Sequence, residues 1–260
     1  MKNTLNNLQK ENEVERTAYA GISHLYDKWC MGDPFYEQTK HFYMNFLPKM
    51  EEPFLELGVG TGRLARLLVQ HHAVEVMGVD ICREMLAICE SEYRRQKESG
   101  CDGILHLEKC DMTELHYREQ FRTVYLPFRT VGHILEEKKL EAMFQGVYRA
   151  LKPGGVFILD HYMFDKTWAE EHHDKDLLMY CDNKVKIEDH YIYHFEKEYM
   201  DCTIKVNDAV ADQFQFRWYS KECIGNVAEE TGFILDTLMG EFDGSVWSEQ
   251  SGNQIWVWRK

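Results

Sequence analysis

The chain contains no run approaching about 18 apolar residues and no apolar core near its N-terminus, so neither a membrane-spanning helix nor an export signal is expected. Its eight cysteines, Cys30, Cys82, Cys89, Cys101, Cys110, Cys181, Cys202 and Cys223, include no C-x-x-C pair. That scatter points to reduced thiols in a cytoplasmic protein, and no zinc site is expected. Cys82 and Cys89 are seven apart on an expected helix, a core spacing. Positive charge is short: 30 Lys and Arg face 44 Asp and Glu, a net charge of −14 with no lysine-rich cluster. Such a field repels a phosphate backbone and disfavours nucleic-acid partners. Arg63, Arg66, Arg94, Arg95 and Lys97 read as solvated helix faces. With 44% hydrophobic residues in 260, there is material for one substantial core, in a monomer or homodimer.

What is present is concentrated in residues 54–62, Phe-Leu-Glu-Leu-Gly-Val-Gly-Thr-Gly. A short apolar run ends at Glu56, and then Gly58, Gly60 and Gly62 let the backbone turn sharply and approach a ligand closely. Leu64, Leu67 and Leu68 follow at helical spacing, predicting a helix over residues 63–71. A second apolar stretch, 74–79, ends in Asp80, 22 residues after Gly58 and about where a ribose-binding carboxylate sits in a doubly wound fold. A third strand over 104–109 delivers Asp111 and Met112, an acid and an apolar side chain suited to the edge and face of an adenine.

Two common nucleotide sites are excluded. The frame Gly-x-Gly-x-x-Gly, read from Gly58, puts Arg63 at the third glycine, and no Gly-Lys-Ser/Thr follows. Glu56 would repel a pyrophosphate but suits a ligand bearing an ammonium group, so a nucleoside carrying an amino acid fits better.

The segments Glu56-Leu57-Gly58-Val59-Gly60-Thr61-Gly62-Arg63, Asp80, Asp111-Met112 and Leu151-Lys152-Pro153-Gly154-Gly155 together resemble the class I S-adenosylmethionine-dependent methyltransferases, from about Tyr19 to the C-terminus. The resemblance implies a doubly wound α/β fold with a seven-stranded sheet, order 3-2-1-4-5-7-6, the last strand antiparallel. It implies S-adenosylmethionine as cofactor, with its methionine part on the loop from Gly58 to Gly62, its ribose on Asp80 and its adenine at Asp111 and Met112. Tyr26, Glu56, Arg63, Ile81, Met85 and Leu126 complete the expected cofactor site. Around this core the chain divides into an N-terminal arm and lid helices (1–47), a cofactor-binding core (48–165), an antiparallel β insertion over the pocket (166–219) and the C-terminal part of the core (220–260).

Residues 1–16 are polar and read as a frayed helix or arm. The aromatic segment 19–47 reads either as a lid placing Tyr26, Trp29 and Tyr36 over the site or as a helix merely packed on the sheet. Ligands of open α/β sheets bind beyond the carboxyl ends of strands. The stretch after the strand 122–126 therefore offers Phe128, Arg129 and His133 to an acceptor. His133 is either a proton acceptor or a packed histidine. Arg129 either grips a carboxylate or phosphate or pairs with an acid such as Glu136. Tyr125-Leu126-Pro127-Phe128 lacks the Asn/Asp-Pro-Pro-Tyr/Phe signature of amide and base-amino methylators, and no catechol-type metal set is present. Asp160 with His161, and His172 with His173, lack the spacing of a standard metal site. Tyr162, just after the fifth strand, 156–161, is a further candidate substrate contact. Alternating stretches within 184–219 predict the antiparallel insertion, with Arg217, Trp218 and Tyr219 lining its inner face or packing there. Ser220 caps a helix closed by Gly232, and two strands end the chain.

The insertion resembles that of small-molecule methyltransferases of the amino-sugar and natural-product type, so the expected enzyme transfers a methyl group to an N or O nucleophile of a small metabolite in secondary metabolism, with His133 and Tyr26 as candidate catalytic groups. A tRNA or protein methyltransferase, or a non-catalytic S-adenosylmethionine-binding protein, is the alternative.

Overall fold

A computed structural model describes residues 17–260; the polar arm 1–16 lies outside the described residues. Seven strands form the central sheet: β1 (Phe54–Leu57), β2 (Glu75–Asp80), β3 (Ile104–Lys109), β4 (Phe121–Leu126), β5 (Leu151–Tyr162), β10 (Ile234–Met239) and β11 (Asn253–Arg259). Their spatial order is β10-β11-β5-β4-β1-β2-β3. Strands β1 to β5 run parallel, and β11 is antiparallel to both β5 and β10. Counted along the seven core strands this is 3-2-1-4-5-7-6, as the resemblance implied. All four residues of β1 are buried because helices cover both faces, which is why it reads as a continuous apolar run.

On one face pack α5 (Glu137–Ala150) and α7 (Lys221–Thr231). Leu140, Met143, Phe144 and Val147 of α5, at spacings of three and four, meet Leu55, Phe157 and Trp258 of the sheet. Burying each such side chain is worth about 1.5–3 kcal/mol. The other face carries α2 (Tyr36–Phe46), α3 (Ala65–His71) and α4 (Arg83–Glu98), with Tyr43, Leu64, Leu68 and Cys89 against Phe54, Tyr125 and Ile255.

Two element starts in the core differ from the sequence reading by more than one residue. The helix after the glycine loop begins at Ala65, because the 58–62 turn continues into Arg63. Strand β5 begins at Leu151 rather than at Val156, since Leu151 is already extended and pairs with Phe121. The Ser220 hydroxyl accepts the Cys223 N–H, and Gly232, at φ 103°, ends α7 as expected.

After β5 come α6 (Lys166–His172) and a meander of β6 (Lys175–Cys181), β7 (Lys186–His194), β8 (Tyr199–Val206) and β9 (Ala209–Arg217). The N-terminal segment, a 3-10 turn over Ala20–Leu25 and α1 (Tyr26–Cys30), lies against this second sheet. Asp212 accepts the Gly21 N–H at 2.6 Å, and Asp189 accepts the Trp29 indole N–H at 2.7 Å. Thus the two pieces outside the seven-stranded core hold each other, over the carboxyl ends of β4 and β5.

Candidate active site

Beyond β1 the glycine loop is built as its sequence demands. Gly58, Gly60 and Gly62 all have positive φ (64°, 55° and 77°), which L side chains rarely adopt. A Cβ on Gly58 would strike Thr130 at 2.5 Å. Glu56 is 2% exposed and accepts the Tyr125 hydroxyl at 2.8 Å. Burial pushes its carboxyl up to about 8, against the opposing pull of Tyr125 and Arg63.

Arg63 is not a solvated helix residue. Its guanidinium stands 4.9, 4.8 and 4.5 Å from the rings of Tyr26, Tyr36 and Phe128, a three-sided aromatic cage. Its Nη2 reaches the Tyr26 hydroxyl at 3.5 Å, while Nη1 is buried without a partner among the described residues. A caged cation with a free buried N–H suits a carboxylate, and Glu56 on the same loop suits an ammonium. Tyr26, Glu56, Gly58, Arg63, Phe128 and Thr130 line one cleft. Thr61 ties the loop to the lid by donating to Asp27 at 2.7 Å.

At the end of β2, Asp80 braces the loop: its two carboxylate oxygens accept the N–H groups of Gly60 and Cys82, each at 2.8 Å. Burial raises its carboxyl above the usual range, opposed by these backbone donors. Met85 lies under Gly60, its Cε 3.3 Å from where a Cβ would stand. Ile81 is exposed, and Met112 is half-buried against the core. Asp111 accepts the Thr113 N–H and hydroxyl through one oxygen, Oδ1. Leu126 is fully buried in the core below.

The β4 end carries unusual backbone. Phe128 and Arg129 are consecutive left-handed residues, φ 58° and 61°, a conformation costing roughly 1–2 kcal/mol each. Asp160 holds them: its Oδ1 accepts the Phe128 N–H at 2.9 Å and the Tyr43 hydroxyl at 2.7 Å, and its Oδ2 accepts the Arg129 N–H at 3.0 Å. Burial pushes the Asp160 carboxyl up to about 6 despite these donors. The Arg129 side chain does not pair with Glu136. It meets Asp33 at 3.4 Å and lies over the rings of Phe35 and Tyr162, at 4.7 and 5.8 Å.

His133 ends the next 3-10 turn, Thr130–His133, inside a box of Tyr19, Phe214 and Phe216 with ring centroids 5.1–5.3 Å away. That enclosure strips water from the imidazole and pushes it down to about 4. Its Nε2 is 3.1 Å from the Tyr19 hydroxyl, and the Tyr19 ring lies 4.9 Å from that of Tyr26. Tyr19 therefore connects the two candidate catalytic residues, a role that the sequence reading missed although it began the lid at that residue. Thr130 and Asp160 were also missed as parts of the site. Thr130 sat inside a segment already singled out, whereas Asp160 was weighed only as a metal ligand.

Arg217 and Trp218 stand apart from the cleft lining. The Arg217 guanidinium donates to the Leu135 carbonyl at 2.8 Å and pairs with Glu137 and Glu198, fastening β9 to the start of α5. Trp218 is buried and stacks on Phe164, centroids 4.0 Å apart. Trp29, bonded to Asp189, touches the Tyr19 and Tyr26 rings from behind.

A doubly wound sheet whose first loop pairs a buried acid with a caged arginine defines a nucleoside-cofactor enzyme site. Residues 54–155 match the family model described as a methyltransferase domain. Over 242 residues the chain is 25% identical to YqeM of Bacillus subtilis (strain 168), named as a methyltransferase, covering 90% of this chain and 93% of that one. It is 28% identical over 164 residues to phosphoethanolamine N-methyltransferase 2 of Caenorhabditis elegans, covering 61% of this chain but only 36% of that protein. Among solved structures, the CcbJ methyltransferase of Streptomyces caelestis superposes with TM-score 0.77 at 19% identity, covering 94% and 98% of the two chains. The S-adenosylmethionine-bound amino pentose methyltransferase CalS10 of Micromonospora echinaspora gives 0.58 at 17% identity, covering 95% and 99%. Together the fold, the matched domain and these relatives make the chain an S-adenosylmethionine-dependent methyltransferase.

Proposed function

We propose that this enzyme methylates an N or O nucleophile of a small metabolite, as the phosphoethanolamine and amino pentose enzymes are named for doing. The observation that carries this reading is the closure of the site: α1 and the second sheet lie over the ends of β4 and β5, held there by Asp212, Asp189 and the box around His133. Such a roof suits a small acceptor, and the net charge of −14 opposes a polyanionic one. Among the described residues no helix is long and apolar enough to cross a membrane.

In this reading the orphaned Nη1 of Arg63 holds the cofactor's carboxylate and Glu56 its ammonium. The backbone of Gly58, Gly60 and Gly62 lies along its methionine part. Asp80 takes the ribose hydroxyls, and Asp111 with Met112, Ile81 and Met85 takes the adenine. The bound cofactor supplies a sulfonium methyl with a good leaving group, so the chain's own task is to align the acceptor and exclude water. Tyr36, Phe128, Arg129 and Tyr162 face the acceptor; Trp29 backs the aromatic wall. Tyr26, whose phenol burial holds well above its usual range, stays protonated and orients the nucleophile. His133 is neutral above about pH 4 and is the group free to accept a proton, through Tyr19.

The test is calorimetric titration with S-adenosylmethionine, S-adenosylhomocysteine and NAD, followed by a metabolite screen for S-adenosylhomocysteine release. Binding of the first two with release on an amine or hydroxyl compound supports the reading. Release only with tRNA or a protein would overturn the small-metabolite assignment, and tight binding with no release on any acceptor would favour a binding protein.

A further inference from the structure

We propose that the methyl acceptor carries a carboxylate or phosphate read by Arg129, and that Asp33 of the lid keeps the place of that anion until the acceptor arrives. This deepens, and rests on, the small-molecule reading above.

Arg129 lies between Phe128 and Thr130, both of which line the cofactor cleft. Its backbone is left-handed without being glycine, and a fully buried carboxylate, Asp160, fixes that conformation. Backbone held in this way aims a side chain deliberately. The guanidinium is flanked by Phe35 and Tyr162 and is 19% exposed, yet its Nη2 is buried with no hydrogen-bond partner. Among the described residues its one ion pair, to Asp33, is long at 3.4 Å through Nη1. Asp33 has other work: its Oδ1 accepts the Phe35 N–H at 2.9 Å.

A second donor adjoins the Tyr162 ring over which this guanidinium lies, the His161 ring standing 4.7 Å from it. The fully buried His161 accepts the Tyr219 N–H on Nε2 at 3.2 Å, so in the neutral ring the proton sits on Nδ1. Nδ1 is buried and has no partner among the described residues. Burial, and then the nearby Arg129 charge, push this imidazole down to about 3, so it does not become a competing cation. Two unmatched buried donors and a weakly engaged arginine call for an acceptor-rich group. A carboxylate or phosphate supplies the parallel acceptors that a guanidinium fork takes. On its arrival Asp33 is displaced from Nη1 and the lid segment is freed from this contact, so acceptor binding and lid position are coupled.

The experiment titrates inorganic phosphate, and separately succinate, into the protein alone and into the protein saturated with S-adenosylhomocysteine. Saturable binding of one of them is expected, and which one binds distinguishes the two anion types. Asp33→Asn should tighten that binding about two- to fivefold, the worth of a half-exposed ion pair. Arg129→Gln should weaken it at least about tenfold. Neither variant should alter S-adenosylhomocysteine affinity by more than about twofold, because neither residue serves the cofactor. Anion binding that is absent in both the parent and Asp33→Asn, or equal in Arg129→Gln, overturns the inference. Loss of S-adenosylhomocysteine binding with anion binding retained would instead strike the cofactor assignment and leave the Arg129 site standing.

Discussion

Replacing Glu56 by Gln is expected to stabilise the ligand-free protein at neutral pH while weakening cofactor binding. Glu56 has an ordinary value of 4.5 in the unfolded chain and is pushed up to about 8 in the folded one. Between those values the folded state holds a proton that the unfolded state has lost, so stability falls as pH rises, by about 1.4 kcal/mol per unit. The cost is absent below pH 4.5, reaches about 3 kcal/mol at pH 7 and levels off above pH 8 at nearly 5 kcal/mol. Gln keeps an oxygen to accept the Tyr125 hydroxyl and carries no titration. Urea denaturation of parent and Glu56→Gln at pH 5, 6, 7 and 8 isolates this group, since the other carboxylates cancel in the difference. The variant's advantage should grow by about 3–4 kcal/mol across the series. An advantage that stayed constant from pH 5 to 8, or shrank, would refute the buried-acid reasoning. The same substitution should weaken S-adenosylhomocysteine binding, because the ligand's ammonium then loses an anionic partner.

Three further outcomes are expected. Asp80→Ala should weaken S-adenosylmethionine binding and also lower stability by about 1–3 kcal/mol, since it leaves the Gly60 and Cys82 N–H groups unmatched; a folded variant with parent affinity in calorimetry would sink the ribose role. His133→Ala should lose turnover with cofactor affinity little changed. Because burial keeps that imidazole neutral above about pH 4, the parent's kcat/KM should show no His133-dependent inflection between pH 5 and 8, and an inflection near 6.5 abolished by the substitution would contradict it. Trp218→Ala should cost about 3–5 kcal/mol in thermal or chemical denaturation and spare cofactor binding, since Trp218 is a packing residue on Phe164; full stability with an impaired acceptor KM would return it to the substrate site.

The core of the fold was legible because its evidence is local. Gly58, Gly60 and Gly62 each demand positive φ within one turn, and the strands ending at Asp80 and Lys109 are short apolar runs in regular order. Positions set by distant partners were not legible. Arg63 sat in a run that also read as a helix surface, and only the approach of Tyr26, Tyr36 and Phe128 from three segments makes it a caged cation. Arg129 had Glu136 as its nearest acid in sequence, whereas its partner Asp33 is 96 residues away. Arg217 and Trp218, at the end of an alternating strand, looked equally suited to lining a pocket or packing beneath one. The alternation fixes which face a residue shares but not what lies against that face.

Asp160 also decides which part of the roof can move. Through Tyr43 it fastens helix α2 to the same carboxylate that shapes the Phe128 and Arg129 turn, so α2 behaves as a door frame. Segment 17–30 is attached to the second sheet through Asp212, Asp189 and the Ile22 cluster and to the core through Thr61, Arg63 and His133, and Gly32 runs so close to the Met179 backbone that no side chain fits between them. Segment 17–30 and the β6–β9 meander therefore form one composite leaf, joined to α2 through the stretch between α1 and α2. A substitution that loosens the meander should thus be felt at Tyr26 and Asp27, over a glycine loop far away in sequence.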